Sequence, residues 1–193
     1  MASILKVDKI VDSGSNVLAT SSGSGYTIDS GTLPAGIMMW IGEKRVTSTS
    51  GSISSATSWT KTGNGTAAQD LDLTIPAATV AKFSKIYVQA SHMILINGGS
   101  SFTLAETKFR RENSNGDSDL GFRHIIGKSA TGNGNIEQSM NRYEVDTSLP
   151  VSGDVTYSVM VRNHHGNAGY AGTIFPLGAE TDTTAIISAY GIV

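Results

Sequence analysis

From Trp59 onward the chain is a succession of short apolar runs cut by glycine and asparagine turns, and no other feature limits its fold so strongly. In "LDLTIP" Leu71, Leu73 and Ile75 alternate with polar neighbours before a proline, which predicts a half-buried strand ended by a residue that cannot donate to a ladder. "FSKIYVQASHMILI" carries Phe83, Ile86, Val88 and Ala90, then a denser run from Met93 to Ile96 that is too apolar to leave both faces exposed. Asn97-Gly98-Gly99 then turns the chain. "SFTLAETKFRRE" and "DLGFRHIIGK" flank "NSNGD", where Asn115-Gly116 predicts a hairpin tip built on positive φ. "IEQSMNRYEVD", "DVTYSVMVR", "GYAGTIFPL" and "TTAIISAYGIV" continue the series. Roughly nine strands in about 155 residues, with no amphipathic helix beyond one turn around Ala77 to Lys82, predict an all-β protein, an antiparallel β-sandwich or jelly roll.

The residues before Trp59 read differently. Ile4, Leu5, Val7, Ile10 and Val11 form a short apolar set interrupted by Lys6, Asp8 and Lys9, which breaks up any secretory-signal core and favours extended structure over a helix. From Ser13 to Gly31 serine, glycine, threonine and asparagine dominate, the composition of a flexible tether unless a partner holds it. Pro34 and Gly36 bend the chain, and the run Ile37 to Ile41 is expected to be the first element to enter a core. The expected organisation is therefore an N-terminal arm over residues 1–33 and a β-sandwich head over residues 34–193. The apolar run "AIISAYGIV" predicts a strand central in a sheet or packed on another subunit, because its exposure would promote aggregation.

With 193 residues the chain can bury a core. A formal net charge of −2 gives no electrostatic reason to expect nucleic acid or an acidic membrane as partner, and no run reaches the roughly 20 apolar residues of a membrane helix. Lys108, Arg110 and Arg111 in "KFRRE" are offset by Glu106 and Glu112, which predicts a solvated strand face. The absence of cysteine excludes disulfides, thiolate metal sites and cysteine nucleophiles.

The order of these pieces carries a resemblance. "LKVDKI" followed by a Gly/Ser tether resembles the particle-proximal segment of small fibre-like virion proteins of tailed phages, especially marine ones. "TIPAATVAKFSKIYVQAS", "FTLAETKFRRENS", "VTYSVMVR" and "AIISAYGIV" then look like the jelly-roll head at the tips of those proteins, similar in architecture to C1q/TNF-type domains. The resemblance implies a homotrimer on the virion, moored through its N-terminus to capsid or tail proteins, with a head that contacts the host surface, where a glycan is the expected ligand. No repetitive or coiled-coil shaft separates arm from head, which favours a short spike, head fibre or decoration protein over a long fibre. The anchoring residues would be Ile4, Leu5, Val7, Ile10 and Val11, and the distal-loop contacts Asn115, Asp117, Asn133 and Asn135. As aromatic and aliphatic residues late in the chain, Tyr157, Phe175, Tyr190 and Ile192 are the expected trimer interface, with ordinary core packing as the alternative for each.

Catalytic signatures are weak. His164-His165 lies in a polar loop, where adjacent side chains of an extended segment point apart and share a metal poorly. His92, inside an apolar strand, reads as a satisfied core or interface histidine, and His124 as an exposed one. "NSNGDSD" offers Asn113, Asn115, Asp117 and Asp119, but its glycine comes too early for a calcium loop and no glutamate closes it. No G-x-S-x-G elbow occurs, and "GSGSG" lacks the GK[ST] ending of a phosphate loop. Trp40 and Trp59 fit packing at least as well as sugar stacking. The expectation is a non-enzymatic structural protein without a cofactor or metal. The alternatives are a soluble carbohydrate-binding module and, further off, a polysaccharide depolymerase head.

Overall fold

The computed structural model describes residues 9–11, 13, 17–21, 26–28, 35–47, 53–54, 58–97, 103–128, 136–163, 173–176 and 184–193. The protein is all-β, with antiparallel sheets packed as a sandwich. Three short strands, β1 (Lys9–Val11), β2 (Val17–Ser21) and β3 (Tyr26–Ile28), form an antiparallel meander in the N-terminal arm. Within the stretch expected as a flexible tether, residues 17–21 and 26–28 are therefore paired strands, with Val17, Leu18, Tyr26 and Ile28 as strand-forming residues in the Ser/Gly background.

The head contains β4 (Met38–Val46), β5 (Ile53–Ser54), β6 (Thr60–Lys61), β7 (Asp72–Ile75), β8 (Lys85–Asn97), β9 (Thr103–Glu112), β10 (Ser118–Lys128), β11 (Ile136–Asp146), β12 (Val155–Asn163), β13 (Thr173–Pro176) and β14 (Ala185–Ile192). One sheet runs β10–β9–β12, with β6 and β7 both pairing with β12. The other runs β4–β14–β8–β11, and β13 and β5 extend it beside the far half of β8. The expected turn near Ala77 is a single helical turn, α1 (Ala77–Val80), whose Val80 is buried. As the apolar "AIISAYGIV" run demands, β14 is an internal strand between β4 and β8.

Period-2 alternation decides which residues line the core. On β8, Ile86, Val88, Ala90, Ile94 and Ile96 point inward, and on β12 Val155, Tyr157, Val159 and Val161 meet them from the opposite sheet. Leu95 is buried on the other face of β8, in keeping with the density of that run. The sequence "MMWIG" behaves otherwise than expected: Ile37, Met38 and Trp40 are exposed, and Ile41 alone of this run packs against the core cluster. A register shift where Ala189 and Tyr190 oppose Gly42 and Trp40 turns the first part of β4 outward. Val193 ties this end of β14 to the start of β4: the amide of Gly36 donates to the Val193 carbonyl at 2.7 Å and the Val193 amide to the Ile37 carbonyl at 3.1 Å.

The hairpin at Asn115-Gly116 is present between β9 and β10, with a turn of a different type. Gly116 has positive φ (122°) and Asn115 does not, and the Gly116 amide donates to the Asn113 carbonyl. The Asn113 side chain accepts from the Asn115 amide and donates to the carbonyls of Ser152 and Asp154, tying the tip to the β11–β12 connection.

Candidate functional site

A row of aromatic side chains crosses the outer face of the β4–β14–β8–β11 sheet. Register places Trp40 opposite Tyr190, and Tyr190 opposite Tyr87. Trp40 meets Tyr190 edge-on at 5.3 Å, Tyr190 meets Tyr87 at 6.0 Å, and Tyr87 stacks on Tyr143 at 5.5 Å. These separations are the ones aromatic pairs prefer, and each pair contributes about 1 kcal/mol beyond its buried area. The row remains open to solvent: Trp40 is 52% and Tyr143 66% exposed, with Ile37, Met38 and Val145 exposed beside them. Burial, together with the neighbouring hydroxyls of Tyr143 and Tyr190, raises the pKa of the Tyr87 hydroxyl. Next to the row, Gln89, Ser91, Ile186, Ser188 and Tyr190 surround a shallow hollow of about 180 Å³.

Of the four residues expected at a subunit contact, Tyr190 and Ile192 lie half-buried on this face. Tyr157 does not. Its ring is fully buried in the chain's own core and its hydroxyl donates to Asp146 at 2.9 Å, because its odd-numbered position on β12 points between the sheets. Burial, followed by the Asp146 charge, pushes that phenol well above its usual pKa. Phe175 belongs to β13, and its side chain lies outside the described residues. Trp40, Tyr87 and Tyr143 were not singled out from the sequence as interface residues. The signal available was the alternation of Tyr87 with the buried Ile86 and Val88, and it becomes decisive only once the register aligns β4, β14, β8 and β11.

The remaining expected positions are dispersed. Ile10 and Val11 are exposed on β1, while Ile4, Leu5 and Val7 lie outside the described residues. Asn115 and Asp117 are exposed at the β9–β10 tip, with Asp117 3.9 Å from Arg110. Asn133, Asn135, His164 and His165 lie outside the described residues. His124 is exposed on β10.

Two expectations about charge are corrected. His92 is buried between the sheets, yet neither ring nitrogen has a hydrogen-bond partner among the described residues, so it is not the satisfied core histidine expected. Burial, then the nearby Arg142 charge, lowers its pKa to about 4. The "KFRRE" face is charged, but it is covered rather than solvated. Glu106 and Lys108 are buried although they point away from the core: Arg123 and Arg162 pair with the Glu106 carboxylate, and Trp59 lies across Lys108 and Arg162, with Lys108 Nζ 4.1 Å and Arg162 Cζ 4.6 Å from its ring centroid.

No protein-family model matches the chain, and no curated protein matches it significantly.

Proposed function

We propose that the protein is a non-enzymatic structural component of a phage virion, a short fibre, spike or capsid decoration protein. Its residues 1–33 moor it to capsid or tail proteins and its jelly-roll head assembles as a homotrimer for contact with the host surface. The observation that carries the trimer is the aromatic row on the outer sheet face. A face displaying Trp40, Met38 and Tyr143 in one patch has the composition of an interface core, rich in tryptophan, tyrosine and methionine. A second and third copy of the same chain are the occupants, with Tyr190 and Ile192 within the contact. The strand orders β4–β14–β8–β11 and β7–β12–β9–β10 support the jelly-roll reading of the sandwich.

The route of the chain supports the mooring. Gly36 and Ile37, where the arm joins the head, are bonded to Val193 at one end of the strands that carry the aromatic row. Copies meeting through this face would release their arms from one end of the assembly. Ile10 and Val11, exposed on β1, give the arm an apolar edge for a particle protein to cover. The test is rebinding to particles stripped of the protein. The full chain should bind, and a chain lacking residues 1–33 should remain a trimer in solution yet lose binding. Equal binding by both would remove the arm from the mooring role.

A further inference from the structure

The outer face of the opposite sheet carries a groove of about 300 Å³ lined by Trp59, Lys108, Asp119, Phe122, Arg123 and Arg162, with Gly121 at its wall. Its key element is a bulge. Leu120 pairs with Phe109 and His124 with Thr107, so Gly121, Phe122 and Arg123 of β10 oppose Lys108 alone on β9. Bulges re-aim side chains, and this one throws Phe122 out of the sheet to 90% exposure. It is held from beneath: Arg142 donates to the carbonyls of Phe122 and Thr107 and pairs with Glu144 at 3.2 Å. Gly121, at φ 62°, passes so close over the Glu144 carboxylate that a Cβ there would overlap it. A half-buried arginine and a glycine in the left-handed region thus fix a fully displayed aromatic ring, an arrangement that hydrophobic burial alone would oppose.

Charge around the groove is unbalanced. The buried Glu106 carboxylate accepts from both Arg162 and Arg123, and Asp119 from both Lys108 and Arg110, with Asp117 as the third carboxylate. Among the described residues, four cations of this cluster therefore face three carboxylates. Arg123 gives Glu106 one nitrogen at 3.1 Å and is half exposed, which leaves most of its five donors available among the described residues. Asp119 is half exposed too and can accept hydroxyl protons.

The geometry points to a binding site for a carboxylated saccharide, its ring stacked on Phe122, its carboxylate on Arg123 and a hydroxyl on Asp119. An apolar ring face, an excess of positive charge and a hydroxyl acceptor within one groove are what a sugar acid requires, and a neutral sugar leaves that excess charge uncompensated. The site lies within one chain and on a different sheet face from the aromatic row. It deepens the host-contact part of the proposed function and rests on that reading only for its biological role.

The test is calorimetric titration of the full chain with two carboxylated probes, tetragalacturonate and sialyllactose, beside methyl-esterified tetragalacturonate and lactose. At least one acidic probe should bind, at least tenfold tighter than its neutral counterpart, with affinity falling as salt is raised. Phe122→Ala and Arg123→Gln should each weaken it about tenfold; Phe122→Ala should leave the unfolding midpoint unchanged because Phe122 is exposed, whereas Arg123→Gln should lower it, since the buried Glu106 carboxylate then keeps the Arg162 charge alone of its two. Binding of neither acidic probe, equal binding of the neutral ones, or unchanged affinity in Phe122→Ala would overturn the proposal. The mass and particle-binding measurements are separate, so a failed titration leaves the virion reading standing, and a failed rebinding leaves the sugar site standing.

Discussion

At the level of single residues, the interior of the head is governed by polar groups placed where the alternation calls for apolar ones. Arg111 reaches the buried Asp146 at 3.0 Å, and Tyr157 and the Ser148 amide donate to the same carboxylate. Asp146→Ala strands the Arg111 charge and should lower stability by about 3–5 kcal/mol, whereas Tyr157→Phe removes one donor and should cost about 1–2 kcal/mol, both read by urea unfolding. His92 gives the interior a pH dependence. Its pKa is about 4 in the folded protein and about 6.5 in the unfolded chain, so the unfolded chain takes up the proton first as pH falls. The stability it confers is full above pH 6.5 and lost progressively as the pH falls to about 4, in total about 3 kcal/mol. His92→Leu should flatten that part of the stability profile relative to wild type, and identical slopes for the two proteins would contradict the assignment. The burial of His92 was legible from its place in "QASHMILI". Its missing partners were not, because the groups facing it, among them Phe109, Val159 and Arg142, come from three other strands.

Among the elements, β10 is the least regular and the most informative. Strand existence and the β9–β10 tip could be read from alternation and from Asn115-Gly116, since both are local signals. The bulge at Gly121–Arg123 could not. "LGFRH" reads as continuous strand, and only pairing with β9 and support from Arg142 on β11 show that three residues stand opposite one. Gly121→Ala tests that support. Gly116 also has positive φ but has open space where a Cβ would go, so Gly116→Ala reports backbone strain alone, about 1–3 kcal/mol. Gly121, at φ 62°, carries the smaller backbone strain of the left-handed well, about 1–2 kcal/mol, and Gly121→Ala adds to it the overlap with Glu144, so its cost in the same urea titration should exceed that range. A Gly121→Ala cost within that range would mean that Glu144 moves aside freely. The covered "KFRRE" face has a similar lesson: the charges were visible in sequence, but the tryptophan that covers them lies about 50 residues earlier, beyond any local pattern.

For the molecule as a whole, the two sheets present unlike outer faces. One is a ladder of paired charges under Trp59, and the other an aromatic row with no covering element among the described residues. The all-β class and the internal position of β14 followed from the sequence because apolar strands without intervening helices leave few alternatives. The exposed row did not: Tyr190 stood among the expected contact residues, but Trp40, Tyr87 and Tyr143 come from three other strands and only the register brings them beside it. A homotrimer requires that copies of the chain cover that row. The deciding measurement is the sedimentation-equilibrium mass of the full chain beside the Trp40→Ser/Tyr143→Ser variant, whose two positions are exposed and whose monomer fold should be preserved. We expect three times the 20.2 kDa of one chain for the wild type and a shift toward the monomer for the variant. A monomeric wild type, or a trimer that the variant leaves intact, would contradict it.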